Sequence, residues 1–387
     1  MNNPPAALRA AIVASGDPRD ISLWSGIPFH MVKALERQFD VVLVVERPWP
    51  AWFRPLGGIM KRLSGGRFRY LASQTLTRVA AATTIRRLRR ARPDVVLAIS
   101  ASPLAHALTA EFRVVNIADA TVRAMRGYYD APAWNERTAA ADAIEAKLIR
   151  GALLSLYPSR WASDSALIDY GAAPERVRDI AWGSNIVVAA AVARTLPAGP
   201  LRLLFVGVEW DRKGGPLALD VMTALTAAGI ACRLDIVGVS ADVLGDRPIP
   251  PGIVFHGFLS KADATQAATL ADLYRDATFF LLPTRAECFG IVFAEAASRG
   301  LPSISVATGG VPSAVRDGMT GILLPPAASG SDFAAAIVAL VAEPARYAAM
   351  SQAALDDARE RLNWDVWAAA AEAAIRAILP RGPHGAN

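Results

Sequence analysis

Histidine and cysteine are scarce in this chain, with 4 and 2 among 387 residues. Protein metal sites draw on several such side chains at set spacing. Cys232 and Cys288 stand alone, one in an apparent core strand and one in a loop, so neither a thiolate metal site nor a disulfide framework is expected. His30, His106 and His256 are isolated from one another and read as structural. Long apolar runs are missing too: none reaches the roughly 18 residues a membrane span needs. The start, Met1 to Arg9, leads straight into a strand without the layout of a signal peptide, and the expected location is the cytoplasm. The G-x4-G-K-[ST] phosphate loop is absent. So is any helix-turn-helix, RRM or zinc-finger pattern, and nucleic acid is not an expected partner.

One absence is local. Between Arg47 and Pro93 there is no acidic residue, while eleven Lys and Arg residues run from Arg54 to Arg92, with Trp49, Trp52 and Phe53 at the front edge. Two readings stay open. The block would attract anionic lipid head groups at about 1 kcal/mol per basic residue near the surface, or it is a solvated helix face beside a mobile loop.

What is present is apolar: 53% of residues are hydrophobic and 20% charged, the balance of a folded globular chain. A single core is not expected at this length, and two domains are. The Ala- and Pro-rich stretch from Val187 to Pro200 reads as the hinge between them. The continuous apolar runs Val41–Val45 and Asp94–Ile99 suit parallel strands covered on both faces.

The most informative stretch runs from Phe279 to Ala296. An apolar strand ends at Pro283, a polar loop follows, and Gly290 opens a run with helical apolar spacing. A strand–loop–helix unit offers unpaired N–H groups to an anion such as a diphosphate. Glu287 and Glu295 flank the turn. Were both helical they would lie roughly 12 Å apart along the axis, too far to share one bond and suited to an elongated ligand. A second loop, Gly207 to Gly215, places Arg212 and Lys213 ahead of glycines and a helix start, a pairing fit for phosphate oxygens.

Glu287-x7-Glu295, with Phe289-Gly290-Ile291 inside it and Gly309-Gly310-Val311-Pro312 downstream, resembles the E-x7-E region of retaining glycosyltransferases of the GT-B fold, family 4 (group 1). The Arg212-Lys213-Gly214 loop resembles that family's phosphate loop. Trp24-Ser25-Gly26-Ile27-Pro28 resembles the "SG-x-P" opening of a bacterial subgroup, and Gly183-Ser184-Asn185 the run that closes the first domain. The likeness covers nearly the whole chain and is strongest over residues 201–325.

The resemblance implies two Rossmann-like domains facing each other across a cleft. The acceptor side would be 1–190, the nucleotide-sugar side 191–363, and a last helix, 364–387, would cross back. It implies that Glu287 meets the donor sugar and Glu295 the ribose. The backbone of Phe289, Gly290 and Ile291 would face phosphate and sugar, Lys213 and Arg212 would hold the diphosphate, and Gly26 would approach it. Asp119, at a strand's carboxyl end, is the candidate to orient a sugar hydroxyl or the acceptor, and the other reading for it is a helix N-cap. Met125 to Tyr129 is either part of an acceptor wall or packing.

Three positions depart from the pattern. Val208 stands where many relatives carry Arg, no His stands near Asp119, and Ser313 replaces a frequent Glu. No Asp-x-Asp motif is present, so a metal-independent transfer with no cofactor beyond the nucleotide-sugar is implied, through an oxocarbenium-like transition state with retention. The acceptor would be a hydroxyl compound, lipid-linked ones included. Two alternatives remain at this point: a nucleotide-sugar epimerase of the same fold, and a non-catalytic nucleotide-sugar-binding protein.

Overall fold

The computed structural model describes residues 7–65, 68–129, 139–186 and 192–379. These form two compact units. Unit 1 holds the described residues up to Ile180 together with those from Trp367 onward, and unit 2 holds those of Ala181–Val366.

Unit 1 runs β1 (Arg9–Ala14), α1 (Ile27–Gln38), β2 (Asp40–Val45), α2 (Phe53–Leu63), α3 (Gln74–Ala91), β3 (Val95–Ile99) and β4 (Val114–Ile117). It continues with α4 (Ala139–Gly151), β5 (Leu154–Tyr157), α5 (Arg160–Ile168) and β6 (Val177–Asp179). The six strands are parallel in the order β2-β1-β3-β4-β5-β6. Every residue of β3 and β4 is buried, as continuous apolar strands must be when helices cover both faces. Val13, Val96, Ala98, Leu104 and Leu148 belong to one core cluster. The strand order reverses between β1 and β3, the place where open parallel sheets leave a crevice at their carboxyl ends.

Unit 2 runs β7 (Leu201–Val206), α6 (Gly215–Ala227), β8 (Cys232–Val237), β9 (Ile253–Phe255), α7 (Ala264–Asp276), β10 (Phe279–Leu282) and α8 (Ile291–Ala297). It goes on through β11 (Ser303–Val306), β12 (Gly321–Leu324), α9 (Gly330–Val341) and α10 (Pro344–Glu360), and α11 (Trp364–Ile378) begins within it. Its strand order is β12-β11-β10-β7-β8-β9, all parallel, and the reversal lies between β7 and β10. Two parallel six-stranded sheets with helical connections are the doubly wound α/β architecture of the GT-B fold.

The 11-residue α2 lies inside the acid-free stretch, directly after Trp49 and Trp52. Pro55 sits in its first turn, where a missing N–H costs no hydrogen bond, while Gly57 and Gly58 dilute the helical signal in the sequence. From Asp317 the chain makes a tight turn, in which Gly318 N donates to Gly321 O at 2.9 Å, and then enters β12 parallel to β11. The edge strand β6 had no sequence signal, since only Val177 of its three residues is buried. Of the hinge stretch, residues 187–191 lie outside the described residues. No single helix among the described residues is long and apolar enough to cross a membrane.

Candidate functional site

In unit 2 the loops leaving β7 and β10 emerge side by side, because those strands are neighbours at the reversal of strand order. One backbone and two side-chain hydrogen bonds stitch them together. Arg285 N donates to Arg212 O at 2.8 Å, Thr284 Oγ1 to the same carbonyl at 3.1 Å, and Arg212 Nη1 to Ala286 O at 2.7 Å. Gly214 has φ +79°, and a Cβ there would stand 1.8 Å from the Pro283 carbonyl oxygen. Only glycine permits both that backbone and that approach.

The stitching brings together side chains that the sequence keeps apart. Lys213 Nζ is ion-paired with the Glu287 carboxylate, and Arg212 Nη1 lies 3.7 Å from it. Both Lys213 and Glu287 are buried. Arg212 also pairs with Glu209, whose carboxyl is held below its ordinary range chiefly by that hydrogen bond. Gly290 (φ +81°) caps α8, and the side chains of Cys288, Phe289 and Ile291 are buried, with Phe289 edge-on to Trp182 at 5.9 Å. Gly310 N donates to Glu287 O at 2.9 Å, so the Gly309-Gly310 turn braces the same loop.

Glu295 lies in α8, but Glu287 does not, so the two are not a helical pair. The Glu295 side chain is 0% exposed. It is ion-paired with Lys261 and accepts from Tyr274 Oη at 3.2 Å. Burial first, and the Glu295 carboxylate second, push the Tyr274 hydroxyl well above its ordinary pKa, so it stays a hydrogen-bond donor. Lys261 and Tyr274 were not picked out from the sequence. Their link to Glu295 spans 34 and 21 positions, with no motif to announce it.

Asp119 and Gly26 belong to unit 1. Asp119 follows β4 and lines a cavity of about 620 Å³ with Ser15 after β1 and Ser100 and Ser102 after β3. The cavity thus sits at the strands' carboxyl ends, where the order reverses. Asp119 is not an N-cap: Thr121 caps the turn Val122–Met125, accepting from Ala124 N at 3.1 Å. Buried Glu145 also lines the cavity and accepts from Tyr170 Oη at 2.6 Å. Tyr128 packs on Trp161 at 4.7 Å, which favours packing over a wall for that pair. Gly26 has φ +81° and follows Trp24 and Ser25, at +48° and +58°, so three left-handed residues in a row lead into α1. Such strain in non-glycine residues costs on the order of 1–3 kcal/mol each and is concentrated at functional loops.

Comparison with known proteins places these features. The sequence model described as "Glycosyl transferases group 1" matches residues 200–343, which hold both loops. The chain is 31% identical over 215 residues to a D-inositol 3-phosphate glycosyltransferase of Catenulispora acidiphila, a match covering 51% of this chain and 50% of that protein. The match therefore spans about half the length of that relative. Among solved structures, sucrose-phosphate synthase from Thermosynechococcus elongatus superposes with a TM-score of 0.68 at 18% identity, over 96% of this chain and 99% of that one. Anabaena HepE in complex with UDP-glucose superposes at 0.63 and 15% identity, over 96% and 100%. At those identities the structural likeness speaks to fold.

Proposed function

We propose that the chain moves a sugar from a nucleotide-diphosphate sugar to a hydroxyl acceptor, with retention of configuration, a reading supported by the similarity of residues 200–343 to group 1 glycosyltransferases. The observation that carries this reading is the convergence of Lys213 and Arg212 on Glu287 at the reversal of strand order in unit 2. A diphosphate beside a sugar satisfies all three groups at once. The phosphates draw the two cations, and the released carboxylate accepts from sugar hydroxyls. Glu295, fixed by Lys261 and Tyr274, is the acid for the ribose end.

The leaving group's charge is balanced by Lys213, Arg212 and the N-terminus of the 13-residue α6. The seven residues of α8 contribute less dipole. These cations make a metal or resident cofactor unnecessary to the proposed transfer. The acceptor would occupy the unit 1 cavity, with Asp119 orienting its hydroxyl. Arg54 and Arg69 in the lining suit an acceptor that carries an anionic group, lipid-linked ones included. The acid-free stretch from Arg47 to Pro93 would draw the protein to anionic membrane surfaces.

The first test is a thermal-shift panel of UDP-, GDP-, ADP-, CDP- and dTDP-sugars. One of them is expected to raise the melting temperature, and Lys213→Ala to abolish that shift. With the donor in hand, Glu287→Ala and Lys213→Ala should each lower transfer by about 100-fold or more when assayed below each variant's own melting temperature, which the unpaired partner lowers. No stabilisation by any nucleotide-sugar, or wild-type transfer in both variants, removes the reading.

A further inference from the structure

Helix α2 and the residue that precedes it carry four large apolar side chains at i, i+4, i+7 and i+11: Trp52, Leu56, Ile59 and Leu63. At 3.6 residues per turn these form one stripe. The stripe is not the packed face. Phe53 and Gly57 turn inward, with the Phe53 ring 5.3 Å from Tyr70, whereas Trp52, Leu56, Ile59 and Leu63 are 42%, 39%, 58% and 83% exposed. Leu71, 42% exposed, adds to the same apolar surface class nearby in sequence. A stripe of this kind on one short helix is costly to leave in water and marks a contact surface.

The charges on the helix decide what covers it. Arg54, Lys61 and Arg62 are exposed, and no acid stands anywhere between Arg47 and Pro93. A second copy of the chain meeting this face in a two-fold contact would set the same cations against each other. An anionic bilayer presents the complementary pair, acyl chains for the stripe and phosphates for the cations. The neighbouring α3 is a weaker candidate. Its basic face has only Val79 as a large exposed apolar residue, and Arg89 is engaged by Glu111 at 2.6 and 2.8 Å.

We propose that α2 lies in the surface of an anionic phospholipid bilayer, with Trp52, Leu56, Ile59 and Leu63 among the acyl chains and Arg54, Lys61 and Arg62 at the headgroups. This deepens the membrane contact proposed above and assigns it to insertion by α2, not to the charge of α3. Arg54 and Leu71 also line the unit 1 cavity, so the contact and the acceptor pocket share residues.

The test is co-sedimentation of the full chain with vesicles of phosphatidylcholine alone or mixed with phosphatidylglycerol. Wild type should partition onto the mixed vesicles and far less onto phosphatidylcholine. Leu56→Ser/Ile59→Ser/Leu63→Ser should lose about tenfold or more of that binding with an unchanged circular-dichroism melt, since the removed side chains make little core contact. Arg86→Glu/Arg90→Glu on α3 should lose less than the serine variant. A serine variant that binds like wild type, a wild type that ignores the mixed vesicles, or a lipid-free dimer that the serine substitutions dissociate would each overturn the proposal. The nucleotide-sugar thermal shift, measured on the same samples, reports on sugar transfer separately: its loss in wild type sinks that reading and leaves the vesicle result standing.

Discussion

Lys213 and Glu287 are 74 positions apart, yet they form a buried ion pair. Each would be a costly isolated charge without the other. The same holds at the far end of the loop, where Glu295 depends on Lys261. Lys261→Met leaves a wholly buried carboxylate with one hydroxyl donor, and the loss of stability should be on the order of 3 kcal/mol in urea melts. Lys261→Arg should recover part of it. A Met variant as stable as wild type would mean that Lys261 merely rests on the surface near Glu295. At this scale the sequence was legible where a residue sits in a local motif, as Glu287, Gly290 and Lys213 do. It was silent for Lys261 and Tyr274, whose chemistry arises only when α7 and its leading turn fold against α8.

At the scale of elements, the decisive junction is the one between the β7–α6 loop and the end of β10. Gly214 combines a left-handed backbone with near contact to the Pro283 carbonyl, whereas Gly229, also left-handed at φ +75°, faces open space. Gly229→Ala should cost only the strain of its backbone, about 1 kcal/mol. Gly214→Ala adds a backbone clash, should cost about 3 kcal/mol, and should weaken the nucleotide-sugar thermal shift because Lys213 moves with the loop. Equal losses in the two variants would contradict the close-approach argument. The same scale explains α2. Its two glycines weaken the helix locally, and burial of Phe53 against Trp49 and Tyr70 outweighs that preference. The Gly183-Ser184-Asn185 run, legible as a motif, has a structural role: Asn185 Oδ1 accepts from Trp364 Nε1 at 3.0 Å at the start of α11.

For the whole molecule, stability is linked to pH through groups whose proton affinity changes on folding. His106 is 1% exposed in the core of unit 1, and burial holds its pKa below the ordinary value of 6.5. Its folded pKa is depressed, so the unfolded chain binds the proton more readily. The contribution is therefore intact above pH 6.5 and is lost as pH falls below that value. Melting temperature should drop between pH 7 and pH 5, and His106→Leu should flatten part of that drop. An identical pH profile in the variant would show that other groups control it.

The amino-acid sequence by itself determined the alternation of buried parallel strands and helices, the two-fold repetition of that pattern, and the polar loop that ends in Gly290. Those features rest on apolar periodicity and on glycine and proline, which act over a few neighbouring residues. Tertiary structure decided which cations face which acids, which face of α2 is left bare, and which strand ends share a cavity. Such pairings depend on strand order, and strand order follows from how helices pack on both faces of each sheet, an interaction among residues far apart in the chain.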